Sequence, residues 1–404
     1  MTTTASDLTT DSKTPAPCAH YGWAVLALAM GGFAIGTTEF VSMGLLPDLA
    51  QGVSVSIPTA GHAISAYALG VVVGAPAIAL LGARLPRRAL LIVLMAAFAL
   101  GNAASALVTS YDGLLVARFL AGLPHGAYFG VASLVAASLA KPGRQGRAVA
   151  QVMLGLSVAN VVGVPAATWL GQLLGWRSAY WLVAVLGLAT IALVAAFVPS
   201  MIGDPHATWR REISALRRPQ VLLTLLTGAI GFGGMFAVYT YIVPTVTEVG
   251  GLSKSVAPVF LLAFGLGMVA GTWVAGELAR WSVFGSLFVG GIGQGVLLLV
   301  FSWLAPTGWW NLPVVFGITI LGSILVINLQ LRLMDVAGDA QTIGAAMNHA
   351  SLNIANALGA WLGGLVVAAG WGYRAPGVVG AGLAVVGVFV LLASYALHRR
   401  SERA

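Results

Sequence analysis

The sequence predicts an all-α membrane protein with twelve transmembrane helices arranged in two pseudo-symmetric six-helix halves. Three observations carry that expectation. The 404 residues are 59% hydrophobic and only 8% charged, against roughly 25% charged in a soluble domain. Apolar stretches long enough to cross a bilayer recur twelve times along the chain. The second half also repeats glycine, proline and asparagine positions of the first at a nearly constant offset.

Residues 1–20 are polar and rich in Thr, Ser and Ala. They are expected to form a disordered tail and not a signal peptide, because no cleavage-type site closely follows the first apolar run. The predicted spans are 22–46, 59–82, 88–109, 113–138, 147–174, 178–198, 220–246, 256–279, 282–304, 312–333, 341–369 and 374–397. Connections are short except 199–219, which holds Asp204, Pro205, Arg210, Arg211, Arg217, Arg218 and Pro219. The chain therefore divides into the tail, an N-terminal half at 21–198, a linker at 199–219, a C-terminal half at 220–398 and a short tail at 399–404.

Span 1 contains Gly31 to Pro47, GGFAIGTTEFVSMGLLP, with one acid, Glu39, and no other charged residue between Lys13 and Asp48. An ionisable group at that depth is expensive, which makes it a functional candidate. The competing reading is an acid reaching the headgroups from a helix end, but Glu39 lies about two turns inside that end. Span 2 carries Gly70 and Gly74. Span 4 carries Arg118, the only Lys or Arg inside a span and away from its ends. It is expected to lie at a depth similar to Glu39, so the two should pair or line a wet cavity. His125 follows seven residues later, on the same helix face. It is a candidate proton relay or substrate ligand; a neutral histidine bonded to a carbonyl is the alternative. Gly122, Gly126 and Gly130 form a GxxxGxxxG face suited to helix contact.

Span 5 holds Asn160, whose repeat mate in span 11 is Asn356. On span 11, His349, Asn353 and Asn356 form an i, i+4, i+7 stripe, followed by Gly359 and Gly363. The asparagines are read either as substrate ligands or as interhelical hydrogen-bond glue. Span 7 offers Phe236, Tyr239 and Tyr241, span 8 offers Trp273, and span 10 offers Asn328 and Gln330. Phe236, Tyr239 and Trp273 are expected within reach of a central cavity. A site with charge on one wall and aromatic rings on the other suits neutral or weakly polar small molecules.

The repeat supports this layout. An offset of 197 maps Gly31, Gly36, Pro47, Gly70 and Gly74 onto Gly228, Gly233, Pro244, Gly267 and Gly271. An offset of 196 maps Asn160 and Gly163 onto Asn356 and Gly359. Two parallel six-span repeats, with a site between them near the midplane, describe a secondary transporter. The symmetry breaks at the charged groups, since Glu39 maps onto Phe236 and Arg118 falls near Val314. Orientation follows from the basic residues. With the N-terminus inside, sixteen Lys and Arg fall on inner segments and three, Arg177, Lys254 and Arg374, on outer ones. This places both termini in the cytosol.

Several functions are disfavoured. Lys13, Lys141 and Lys254 all lack the glycine that precedes a Walker lysine. No metal-ligand spacing is present, and Cys18 is the single cysteine. The net charge of +8 is scattered through short loops and does not indicate nucleic-acid binding.

The chain resembles the major facilitator superfamily over about 20–398. More narrowly, it is similar to the twelve-span drug:proton antiporters of the arabinose-efflux-permease-like, sugar-efflux and chloramphenicol-exporter branch. The stretches that carry the resemblance are Thr37–Phe40 with Gly44–Pro47, Ala117–Gly126, Ala159–Pro165 and Asn348–Gly359. In the loop after span 2, Ala83 stands where the superfamily has an Asp and Pro86 where it has a Gly. Arg280 occupies the matching acid position after span 8, and Val164 interrupts the Gly-Pro pair of span 5. Without that loop acid, the inner gate is expected to be held by Arg84, Arg87 or Arg147, either with helix C-termini or with Asp335 and Asp339.

The resemblance implies a major facilitator fold in a bacterial-type inner membrane. It also implies proton-coupled efflux by a monomer, with no cofactor beyond the proton gradient and no enzymatic activity. Glu39, Arg118 and His125 are the coupling candidates. A proton-coupled importer and a non-transporting receptor are the competing functions.

Overall fold

The computed structural model describes residues 21–82, 84–141, 144–202, 218–337 and 341–401. The expected N-terminal tail, most of the expected linker, Ala83 and Asp339 lie outside them. Among the described residues every regular element is a helix.

Span 1 is Tyr21–Gly44, span 2 His62–Gly82, span 3 Arg87–Leu107, span 4 Tyr111–Leu139 and span 6 Arg177–Phe197. Span 5 consists of Gln145–Val158 and Val164–Leu174, joined by a wide helical turn at Ala159–Gly163. Pro165 lacks the N–H that a regular helix needs just after this turn. Span 7 is Pro219–Gly231 continued by Gly233–Thr240, and span 8 is Ala257–Trp281. Span 9 is Val283–Leu304, span 10 Asn311–Ala337, span 11 Gln341–Val366 and span 12 Ala375–Ser401.

By length and apolarity, eleven helical stretches among the described residues qualify as membrane crossings. The sequence predicts twelve. The difference lies in Val283–Val336, a stretch of 54 residues. At 1.5 Å per residue it would measure about 80 Å as one straight helix, well over twice a bilayer core. It is broken at Ala305–Trp310, where Gly308 takes φ 62°, ψ −100°. Glycine tolerates that conformation and side-chain-bearing residues do not. The stretch therefore supplies two crossings.

Local chemistry sets the ends of several spans. Span 4 starts where Ser110 accepts from the Gly113 N–H (3.2 Å), and span 9 where Ser282 accepts from the Gly285 N–H (3.0 Å). Close helix contacts come from the glycines. A Cβ at Gly70 or Gly74 would collide with the carbonyls of Phe119 or Leu123 on span 4, and one at Gly122 with the carbonyl of Tyr67 on span 2. The C-terminal half repeats the device, with Gly267 and Gly271 of span 8 against the carbonyls of Phe316 and Ile320 on span 10. The expected three-glycine face on span 4 is shorter than the sequence implies. Gly126 meets Ala75, but Gly130 faces open space.

The halves meet along spans 2 and 11 and along spans 5 and 8. Ser65 Oγ donates to the Ala357 carbonyl (3.1 Å), Gly265 lies against the backbone of Asn160, and Gln172 Nε2 donates to the Lys254 carbonyl (2.9 Å). At the basic end the expected bridge between halves is not formed among the described residues. Asp335 pairs with Arg332 one turn away on its own span (2.7 Å). Arg88 donates to the Ala195 carbonyl near the end of span 6. An i, i+3 partner on the same helix is already within reach, so a carboxylate need not cross to the other half.

Candidate functional site

Gly31 and Gly36 bring span 1 against Tyr128 of span 4 and Leu156 of span 5. That approach buries the polar segment Thr37–Ser42 in the middle of the molecule. Successive residues on a helix point about 100° apart, so Thr38, Glu39 and Phe40 address three different neighbours.

Thr38 faces span 4. Arg118 is fully buried, at 0% exposure. Its Nη1 donates to Thr38 Oγ1 (3.0 Å) and its Nη2 to the Thr38 carbonyl (3.2 Å). Thr38 Oγ1 in turn donates to Asn102 Oδ1, and Asn102 Nδ2 donates to the Phe98 carbonyl (2.8 Å). The guanidinium carbon lies 4.3 Å from the Tyr67 ring centroid and 5.3 Å from that of Tyr180. Two aromatic faces and two oxygen acceptors thus replace water around the buried cation.

Of the two arrangements expected for Glu39 and Arg118, a direct ion pair or a shared wet cavity, the ion pair is not formed. The guanidinium binds the residue before Glu39, and the helical turn carries the carboxylate to another side. Glu39, at 7% exposure, lies near Arg118 without a salt-bridge contact.

His125 is buried. Its Nδ1 lies 3.1 Å from the Tyr67 hydroxyl. Tyr67 therefore joins the two span 4 candidates, its ring under Arg118 and its hydroxyl on His125. Phe129, on the next turn, sits 5.4 Å from the His125 ring and stacks on His349 of span 11 at 5.5 Å, with 2° between the planes. The structure thus links His125 and His349 across the boundary between halves.

Phe40 faces the C-terminal half. Its ring lies 6.4 Å from Phe236, 5.6 Å from Tyr239 and 6.4 Å from Phe264, and Tyr239 stacks on Phe264 at 3.6 Å. These rings pack as one buried cluster between spans 1, 7 and 8, and two residues expected with them are placed differently. Trp273 is 73% exposed and continues an outward stripe with Leu262, Leu266 and Val269. Gly271, two residues earlier, points into span 10, so Trp273 points roughly the other way, toward lipid. Tyr241 is buried, yet its hydroxyl donates to the Ala360 carbonyl (3.0 Å) and its ring rests on Gly363. It ties span 7 to span 11.

The amides are not the glue that packing alone would give. Asn160, Asn328 and Asn353 each donate to a carbonyl one turn back on their own helix, those of Leu156 (3.0 Å), Ile324 (2.8 Å) and His349 (3.0 Å). Their Oδ1 atoms are buried without a partner, as are both amide atoms of Asn356 and the Tyr239 hydroxyl. The interhelical amide bond is instead made by Asn348, which donates to Gln330 Oε1 (2.6 Å). Buried polar atoms left unpaired are costly. Sequence reading noted Thr38 only within the Thr37–Phe40 stretch and did not single out Tyr67, Asn102 or Tyr180. The available signal was a scatter of isolated polar residues in apolar spans. Among the described residues, no group of three or more His, Cys, Asp or Glu converges.

A family model described as Major Facilitator Superfamily matches residues 28–348. The chain is 43% identical over 373 residues to the inner membrane transport protein YdhP of Escherichia coli (strain K12), covering 91% of this chain and 95% of that protein. It is 37% identical over 341 residues to a chloramphenicol resistance protein of Streptomyces lividans, covering 82% and 86%. Among solved structures, a bacterial homolog of the human lysosomal transporter Spinster, inward-facing and unoccupied, matches with a TM-score of 0.72 at 15% identity. That match covers 93% of this chain and 97% of the other, and at such identity it speaks for the fold alone.

Proposed function

Because the chain belongs to the Major Facilitator Superfamily, we propose that it is a proton-coupled exporter of small organic molecules that works by alternating access. It would sit in the inner membrane with both termini in the cytosol, the orientation favoured by the basic-residue bias. The observation that carries the reading is the setting of Glu39. It is the one acid deep inside a span, and its neighbour Phe40 rests on the aromatic wall of the opposite half. Protonation at Glu39 and movement of that wall are thereby one residue apart.

Substrate entering between Phe40, Phe236 and Tyr239 would change the surroundings of the carboxylate. Competition between substrate and proton at one place is what exchange requires. The substrate class favoured is an uncharged or weakly polar molecule with a flat ring. Its ring would stack on the aromatic wall, and its amide, hydroxyl or carbonyl groups would meet the unpartnered Tyr239 hydroxyl and the amides of Asn160 and Asn356. A relative named for chloramphenicol resistance agrees with that class.

The test is a panel of such compounds added to inverted vesicles under an imposed pH gradient, with a pH-sensitive dye as readout. Export predicts that a substrate from this class dissipates the gradient as it is taken up. A panel in which only uptake in the opposite direction moves protons would support the importer.

A further inference from the structure

We propose that the C-terminal half holds an anionic phospholipid by its headgroup, in a cavity away from the transport site. The cavity, of about 460 Å³, is lined among others by Arg218, Gln220, Arg332, Asp335, Leu397 and His398. It lies where span 7 begins, span 10 ends and span 12 makes its last turn. This is the end of the molecule that the basic-residue bias assigns to the cytosolic leaflet, and the inference rests on that proposed orientation.

Among the described residues, three elements bring two guanidiniums and an imidazole beside the Asp335 carboxylate, and Arg399 and Arg400 follow His398 in the same last turn. The cations are held in place by the protein. Arg332 pairs with Asp335 (2.7 Å) and lies 4.7 Å from the Phe284 ring centroid. Arg218 Nη1 donates across to the Val336 carbonyl (3.2 Å). Gln220 and Ser394 bond each other's spans twice, Nε2 to carbonyl (2.9 Å) and Oγ to Oε1 (2.7 Å). A site with fixed cations loses less entropy when it takes a phosphate group.

The surroundings favour a lipid over a soluble anion. Leu222, Leu331, Met334 and Leu397 are exposed within about one turn of the charged residues. They offer apolar surface to acyl chains just below a headgroup. Basic pockets between membrane helices at the cytosolic level are suited to anionic headgroups. None of Glu39, Arg118, His125 or the aromatic wall lines this cavity.

The experiment uses the full chain, purified, stripped of lipid and then incubated with phosphatidylglycerol or phosphatidylcholine. Retained lipid is counted by native mass spectrometry. The wild type should retain phosphatidylglycerol in preference to phosphatidylcholine. Arg218→Gln with His398→Gln should lower phosphatidylglycerol retention by about fivefold or more, and Arg218→Lys should keep most of it. Unchanged thermal unfolding of the double variant in phosphatidylcholine shows that it is folded. If it is not folded, the wild-type preference and the Arg218→Lys result decide. Equal retention of the two lipids by the wild type would overturn the proposal, as would full phosphatidylglycerol retention by a folded double variant. Displacement of the lipid by millimolar inorganic phosphate would also overturn it, because it would show a soluble-anion site.

Discussion

At the scale of single residues, the buried cation Arg118 is held by oxygen acceptors and by two aromatic rings. Its known acceptors both belong to Thr38. Thr38→Val keeps the shape but removes the hydroxyl that accepts from Arg118 and donates to Asn102. The loss should be about 1–3 kcal/mol, read as a lower unfolding temperature, with Thr38→Ser close to wild type. Arg118→Ala should cost more, because it removes the packing of two aromatic faces as well as two hydrogen bonds. Arg118→Lys should not rescue it, since a point ammonium cannot reproduce a planar fork. Tyr67→Phe separates two roles. It leaves the ring under Arg118 and removes the hydroxyl from His125, so stability should fall by only about 1 kcal/mol. If His125 contributes to coupling, the pH profile of transport should move in this variant; an unmoved profile makes the histidine structural.

At the scale of elements, the glycine pattern gives a sharp contrast. Gly74→Ala should drive span 2 off the span 4 backbone and destabilise the N-terminal half severely, whereas Gly130→Ala, facing open space, should be neutral. Thermal unfolding of both variants in detergent checks this, and equal effects would refute the packing account. The contrast also shows what could be read from the sequence. Gly70, Gly74, Gly267 and Gly271 were legible because close backbone approach leaves a residue type and a repeat offset as its mark. Gly130 belonged to the same pattern without the contact, because spacing fixes a helix face but not what covers it. Trp273 was misplaced for a related reason. In a membrane protein both lipid and interior are apolar, so an aromatic residue does not announce which side it faces. The Val283–Val336 stretch was legible as two spans because a single helix of that length does not fit a bilayer. The Thr38–Arg118–Tyr67 arrangement was not legible. Which neighbour a buried arginine binds depends on helix rotation, and residue depth, which the sequence does give, leaves that open.

At the scale of the whole molecule, the two halves differ in chemistry while repeating in architecture. The N-terminal half carries the buried acid, the arginine and His125, and the C-terminal half answers with Phe236, Tyr239 and Phe264 across Phe40. Contacts such as Ser65 to Ala357 and Gln172 to Lys254 hold the halves together on one side. Alternating access would exchange them for others, and the proton must bias that exchange. The central claim is that Glu39 is the group through which it does so. The most direct measurement compares wild type and Glu39→Gln in inverted vesicles, following substrate uptake with and without an imposed pH gradient and substrate binding at several pH values. Gln fixes the neutral form with little change of shape. Gradient-driven uptake should disappear in Glu39→Gln while substrate still binds, with an affinity that no longer depends on pH. Uptake by Glu39→Gln that keeps its full dependence on the gradient would contradict the account and move the coupling role to His125.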